Sequence, residues 1–115
     1  MHAVPERKVR FTSHEQVFVI TMHGEMDHDD AEDVEAAWAA SVEAASPMTA
    51  VDLSRVTFAD SMLLNALLEA RRHHEADGRE LVLIGPLHSA VRRLLDVSGT
   101  LGHFRVVSTG PSPAS

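Results

Sequence analysis

The sequence has no cysteine, few aromatic residues, few basic residues and no long apolar run. Without cysteine it offers no disulfide, no thiolate zinc site and no cysteine nucleophile. Ten Lys and Arg against 17 Asp and Glu give a formal net charge of -7, and such a surface repels nucleic acid phosphates. No apolar stretch approaches the roughly 20 residues that span a bilayer. Nucleic acid and membrane are therefore not expected partners.

The start of the chain lacks the apolar segment of a signal peptide, so we expect a cytoplasmic protein. The length of 115 residues suits one domain, and a chain of this size buries a sufficient core without disulfides or metals. We predict a single domain over residues 8–108, with a loose leader at 1–7 and a flexible tail at 109–115.

Hydrophobic periodicity predicts strands that alternate with helices. The expected strands are 8–12, 16–23, 49–53, 80–84 and 104–107, and the expected helices are 27–45, 62–76 and 89–99. The order β-β-α-β-α-β-α-β is typical of an α/β domain with a mostly parallel sheet of about five strands and three main helices. The first two strands should form an antiparallel hairpin at one edge. Strand 16–23 is apolar on both faces, which predicts that other elements cover both.

Local residue chemistry predicts where the helices begin and which side chains they bury. Asp29 with Glu32 fits a capping box for helix 27–45. Asp60 or Ser61 is expected to cap helix 62–76, and Ser89 the last helix. Residues 55–59 are expected to form a loop. The stripe of helix 27–45 that should face the core consists of Val34, Ala37, Trp38, Ser41, Val42 and Ala45.

Three local sequences occur in an order that resembles the STAS domain of bacterial anti-sigma factor antagonists. They are residues 24–27 (Gly-Glu-Met-Asp), residues 51–61 (Val-Asp-Leu-Ser-Arg-Val-Thr-Phe-Ala-Asp-Ser) and residues 81–86 (Leu-Val-Leu-Ile-Gly-Pro). The resemblance covers residues 8–108 and implies a STAS-like fold. It also implies a transcription-regulating function, in which the unphosphorylated antagonist binds an anti-sigma factor with a serine-kinase fold. In that family, phosphorylation of the antagonist blocks the binding.

The turn before the second helix departs from the family pattern, Asp-Ser-Ser-Gly-Leu. Asp60 and Ser61 match the aspartate and the first serine, but Met62 occupies the phosphorylated position and Leu63 replaces the glycine. Methionine has no hydroxyl, so the family's phosphorylation switch does not transfer to residue 62. The resemblance implies that Asp27, Asp60, Ser61, Met62 and Leu63 contact the partner.

The residues of this turn allow two interpretations each. Ser61 is either a helix cap or a substitute phosphoacceptor one residue early. Asp60 either caps the helix or contributes to a kinase contact. Met62 and Leu63 either form an exposed apolar docking patch or pack beneath the following loop.

No pattern of catalytic or metal-binding residues occurs, so we expect no enzyme, no cofactor and no metal. Glu25 and Asp27 lack a nucleophile or base at a suitable spacing, and no Gly-rich phosphate loop or zinc motif is present. The cluster of Asp27, His28, Asp29 and Asp30 is better explained by a helix start, where the dipole favours negative charge, than by a metal site.

Two further expectations concern histidines and the choice of function. His73 and His74 point about 100° apart on a helix and are expected to be solvated. The alternative function is a STAS-type sensor or assembly subunit in a signalling complex that does not act on a sigma factor. The sequence leaves the oligomeric state open.

Overall fold

The computed structural model describes residues 8–108 as an α/β domain of five strands and three α-helices. The strands are β1 (Val9–His14), β2 (Val17–Met26), β3 (Met48–Ala59), β4 (Glu80–Gly85) and β5 (Arg105–Ser108). The helices are α1 (Ala31–Ala44), α2 (Ser61–Ala76) and α3 (Ser89–Val97), with 3-10 turns at His28–Asp30 and Leu101–His103. The predicted element order is confirmed. The predicted leader (1–7) and tail (109–115) lie outside the described residues.

All five strands form one sheet in the order β1-β2-β3-β4-β5. β1 pairs antiparallel with β2, and every other neighbouring pair is parallel, as predicted. Because each parallel strand lies beside the one before it, right-handed crossovers place the three helices on the same face of the sheet. α1 contacts α2 along that face, and α2 contacts α3.

The hydrophobic core lies between the sheet and this layer of helices. Alternate strand residues point into it, among them Phe18, Ile20, Met22, Val51, Leu53, Leu81 and Leu83. The β2 residues between them, Val17, Val19 and Thr21, are half-buried and lie on the opposite face. The prediction that β2 is covered on both faces is therefore wrong, because the crossovers leave that face without a helix.

Strands β2 and β3 are longer than their local sequences predict. β2 continues through Gly24, which has a positive φ of 82°, and residues 55–59 form the end of β3 instead of the predicted loop. The two strands remain paired to Met26 and Ala59, with irregular register on either side of His23 and Gly24. Hydrogen bonds to the neighbouring strand extend β2 and β3 beyond the ends that their own sequences predict. Such pairing depends on the fold and not on the local sequence.

Helix α1 is shorter than predicted and its buried stripe is narrower. It begins at Ala31 after the 3-10 turn, and it ends where Ala45 adopts a left-handed conformation with φ 51°. Val42 is 54% exposed, so its predicted burial is wrong, as is that of Ala45. The buried positions are Val34, Ala37 and Ser41, whereas Trp38 is half-buried at the margin facing α2.

The end of α2 and the start of α3 differ in how their backbone is capped. Gly78, after α2, has a left-handed conformation with φ 72°, which glycine adopts without strain. Ser89 is the first residue of α3 and does not cap it; His88 occupies the N-cap position without a side-chain hydrogen bond. Within residues 8–108, no helix is both long enough and apolar enough to cross a membrane.

His74 is buried in the core, and the prediction that it is solvated is wrong. Only 2% of the residue is exposed. Its Nδ1 lies 2.7 Å from the Ala70 carbonyl oxygen, and its Nε2 lies 2.6 Å from Thr49 Oγ1. Burial, which disfavours the charged ring, lowers the pKa of His74 below 6.5. The neutral ring thus makes one hydrogen bond within α2, to Ala70, and one that joins α2 to β3, to Thr49.

Candidate partner-binding site

The turn that begins α2 follows directly from the end of β3. Asp60 Oδ1 accepts a hydrogen bond from the backbone N–H of Met62 at 2.9 Å, and the Asp60 carbonyl accepts the N–H of Leu63 at 3.1 Å. Asp60 is therefore the N-cap of α2. Its own N–H donates to the Met26 carbonyl at 3.2 Å, which ties the turn to the end of β2.

Ser61 is the first residue of α2 and is exposed. Of the two predicted caps, Asp60 is confirmed and Ser61 is wrong, because the Asp60 carboxylate already binds the N–H of Met62. Within residues 8–108, no hydrogen bond of the Ser61 hydroxyl is found. The hydroxyl is therefore accessible at a helix N-terminus, where the helix dipole favours an anionic group.

Met62 and Leu63 do not form an exposed apolar pair. Leu63 is 1% exposed and lies in the core, so the prediction that it contacts a partner is wrong. It points inward because it shares its face of α2 with Leu67, Ala70 and His74 at helical spacing. Met62 is half-buried and packs against the core. Only Met62 of this pair contributes to the surface.

Asp27 caps the turn that precedes α1. Its Oδ1 accepts the N–H of Asp29 at 2.9 Å, and its own N–H donates to Asp30 Oδ2 at 2.9 Å. This reciprocal capping box replaces the predicted one of Asp29 and Glu32. Asp30, which is buried, also accepts a hydrogen bond from Lys8 Nζ at 3.0 Å, and Lys8 donates a second one to the Glu25 carbonyl.

The exposed cluster at this turn has the chemistry of a helix start. The ligand atoms of Asp27, His28 and Asp29 all lie within 4.8 Å of one another. Asp27 is already used as a cap, and His28 Nε2 lies 3.4 Å from Asp29 Oδ1. These contacts provide acceptors for the backbone N–H groups of the turn and place negative charge where the helix dipole favours it. The absence of a metal site stays a prediction.

The ends of β2 and β3 bring the two capping aspartates to the same edge of the sheet. Met26 pairs with Ala59, and Asp27 and Asp60 follow these two residues in the chain. Asp27 is half-buried, as is Asp60. The structure therefore gathers four of the five predicted contact residues at one edge: Asp27, Asp60, Ser61 and Met62.

Two exposed apolar residues beside this edge were not predicted. Phe58 is 48% exposed and Val97 is 80% exposed. Both line an open cavity of about 590 Å³ between the end of β3 and α3, together with Asp60, Arg93 and Leu94. Val97 could have been found from the sequence, because it falls outside the buried Val91–Leu95 face of α3. Phe58 was missed because residues 55–59 were expected to form a loop, although Val56, Thr57 and Phe58 are residue types that favour strands.

A family model described as "Mlab, STAS domain" matches residues 9–107. The chain belongs to the STAS domain family. The predicted membership and fold are thereby confirmed. A comparison with curated proteins found no match.

Solved structures with the same fold cover most of this STAS domain. An anti-sigma factor antagonist from Mycobacterium paratuberculosis is 28% identical, with a TM-score of 0.73 over 88% of this chain and 85% of that one. The phosphorylated form of the Bacillus cell fate determinant SpoIIAA is 21% identical, with a TM-score of 0.70 over 89% and 91%. A candidate anti-sigma factor antagonist from Thermotoga maritima is 16% identical, with a TM-score of 0.78 over 88% and 86%.

Proposed function

We propose that this STAS domain is an anti-sigma factor antagonist-like regulatory module that binds an anti-sigma factor with a serine-kinase fold. It acts by docking and carries out no catalysis. The similarity to the mycobacterial anti-sigma factor antagonist supports this class of function. A cytoplasmic location, expected from the sequence, is part of the same proposal.

The observation that carries the proposal is the intact turn before α2. Asp60 caps the helix at 2.9 Å from the Met62 nitrogen, and Ser61 and Met62 follow it on the sheet edge shared with Asp27. The apolar cavity of Phe58 and Val97 continues this surface. A partner docking here would cover exposed apolar groups that are surrounded by a polar rim. This arrangement is common in protein interfaces.

In this proposal the docking surface is kept, and phosphorylation at the usual position is lost. SpoIIAA, which shares the fold, exists in a phosphorylated form. Met62 has no hydroxyl to modify, so the protein binds its partner constitutively unless Ser61 is used instead. The exposure of Ser61 and its freedom from capping support the second variant. Phosphate at residue 61 would add nearly two negative charges beside Asp60 and weaken docking.

The docking surface can be tested with two phenylalanines of equal exposure. Phe58 and Phe11 are each 48% exposed, but only Phe58 lines the cavity beside Asp60. With the kinase-fold partner recovered from the native host, Phe58→Ala should weaken binding about tenfold or more, whereas Phe11→Ala should leave it unchanged. Equal effects of the two substitutions, measured by calorimetry, would contradict the proposed surface.

Phosphorylation can be tested by restoring the missing hydroxyl. We expect Met62→Ser to become phosphorylated by the partner kinase and ATP, because the Asp60 cap presents residue 62 as before. A phosphate-affinity gel measures the shift. No shift with an active kinase control would mean that the kinase does not recognise this turn. A shift of the wild-type protein that Ser61→Ala abolishes would assign the modification to Ser61.

A second candidate function is that of a STAS-type assembly subunit in a signalling complex that does not act on a sigma factor. The matching family model takes its description from Mlab and not from an anti-sigma factor antagonist, and Met62 lacks the acceptor hydroxyl. A tagged pull-down from the native host, analysed by mass spectrometry, separates the candidates. Recovery of a kinase-fold anti-sigma factor supports antagonism, and recovery of other complex subunits without one supports assembly.

A further inference from the structure

The charges of the chain are segregated along the sequence. No Lys or Arg occurs between Arg10 and Arg55. The same segment holds ten acidic residues: Glu15, Glu25, Asp27, Asp29, Asp30, Glu32, Asp33, Glu35, Glu43 and Asp52. Helix α1 lies within this segment, so all of its charged residues are acidic: Glu32, Asp33, Glu35 and Glu43. A surface of one sign attracts a partner of the opposite sign.

A groove runs between α1 and α2 and contains the only tryptophan of the chain. It comprises two open cavities of about 770 Å³ and about 230 Å³. Both cavities are lined by Glu35, Trp38 and Glu69, so these three residues form the wall that the cavities share. The larger cavity reaches the docking edge proposed above at Met62, whereas Glu35, Trp38 and Glu69 lie on α1 and α2, away from the ends of the strands.

The carboxylates of this wall are available to a cation. Glu35 and Glu69 are exposed, and neither forms an ion pair with any residue in the described range 8–108. Arg71 lines the larger cavity but is paired with Glu75 at 2.9 Å, and Arg72 lies at the same end. The smaller cavity has no Lys or Arg in its lining. The acidic part of the groove is therefore the part beside Trp38.

The indole nitrogen of Trp38 provides a second indication of a missing partner. Among the described residues, Trp38 Nε1 is the one buried side-chain nitrogen or oxygen atom without a hydrogen-bond partner. A buried donor without an acceptor costs about 1–3 kcal/mol, so native proteins rarely leave one unsatisfied. A peptide carbonyl is an acceptor of the kind that this donor lacks.

We propose that the α1–α2 groove binds a basic segment of a partner protein, with an arginine side chain against Trp38 and between Glu35 and Glu69. The flat face of a guanidinium group stacks on an indole, and the N–H groups on its edge donate hydrogen bonds to carboxylates. An arginine would therefore use both the tryptophan and the glutamates of the wall. A protein segment fits better than a free amine because the groove continues from the smaller cavity into the larger one, which leaves room for residues on either side of the arginine.

Tryptophan fluorescence tests the proposal directly, because all indole emission comes from the groove. We expect an acetylated tetra-arginine peptide to change the emission saturably, and the uncharged tetra-citrulline peptide to leave it unchanged. Calorimetry on the same samples measures Kd independently of emission. Binding without a change in emission would place the peptide elsewhere on the protein and overturn the proposal, and so would an absence of binding.

Two double variants with the same change in net charge separate the groove from general attraction. Glu35→Gln with Glu69→Gln removes the carboxylates beside Trp38, and Kd should rise about tenfold or more. Glu32→Gln with Glu43→Gln removes two exposed carboxylates of α1 that line neither cavity, and Kd should change less than about threefold. An equal rise in Kd for the two double variants would mean that the peptide binds by non-specific charge attraction and would overturn the proposal.

Discussion

Asp60 and Ser61 are neighbours at the start of α2, yet only Asp60 bonds the helix backbone. Its carboxylate is oriented by an extended backbone conformation with φ −102° and ψ −174°, which lets Oδ1 reach the N–H two residues ahead. Ser61 is already the first residue of the helix and is exposed, and Asp60 bonds the N–H group that an N-cap side chain would accept. At the residue scale, Asp60 is the cap of α2, and the next residue, Ser61, has an accessible hydroxyl.

The different roles of these residues predict different costs of substitution. Asp60→Ala should lower the free energy of unfolding by about 1 kcal/mol, the usual effect of losing an N-cap. Ser61→Ala should change it by less than about 0.5 kcal/mol, since the exposed hydroxyl has no bond to lose. Urea denaturation of the two variants measures both values. A larger loss from Ser61→Ala than from Asp60→Ala would contradict the assignment of the cap.

At the element scale, His74 holds α2 against β3. With Nδ1 donating to the Ala70 carbonyl, the neutral ring presents Nε2 as an acceptor for the Thr49 hydroxyl. Both bonds are made without a charge on the ring. Burial disfavours the charged ring and lowers the pKa of His74, although the hydrogen bond to the Ala70 carbonyl acts in the opposite direction. Protonation of His74 therefore opposes the packing of α2 on the sheet.

The lowered pKa predicts a loss of stability in mild acid. Below pH 6.5, the ordinary pKa of histidine, the unfolded chain binds a proton at His74 that the folded protein excludes. The free energy of unfolding therefore falls as the pH drops from 6.5 towards the folded-state pKa of His74. Above pH 6.5, His74 makes the stability neither rise nor fall with pH. Urea denaturation between about pH 7 and pH 5 measures the slope.

Adjacent histidines provide the control for this slope. His74→Gln should flatten the pH dependence because the group that titrates is removed. His73→Gln, at an exposed position, should retain the wild-type slope. If His74→Gln kept the full slope, the pH dependence would belong to other groups, and the buried neutral state of His74 would not be its cause.

At the scale of the whole molecule, the core forms on one side of the sheet. Leu67 contributes to it from the centre of α2 and is 1% exposed. Leu67→Ala should lower the free energy of unfolding by about 2–5 kcal/mol, because it leaves a cavity between helix and sheet. Val42→Ala, on the exposed side of α1, should cost less than about 0.5 kcal/mol. Chemical denaturation that ranked the two substitutions equally would contradict this core.

Much of this architecture could be predicted from the sequence because it depends on local periodicity. Strands such as 80–84 are short apolar runs, and α2 repeats its leucines at helical spacing, so the element order and the parallel sheet were predicted correctly. The departure at Met62 is also a property of the sequence, since the methionine thioether cannot accept phosphate in any fold. The four predicted contact residues that lie at one edge were named from the family resemblance, and their contact with a partner stays a prediction.

Tertiary structure decided which of two chemically plausible environments each ambiguous residue occupies. Leu63 and His74 are buried because their face of α2 is turned towards the sheet, and Val42 is exposed because its face of α1 is turned away. Residues 55–59 are strand because β2 lies beside them, and Phe58 and Val97 meet because the crossovers bring the end of β3 next to α3. Periodicity specifies which residues share a face, but only packing specifies what that face contacts.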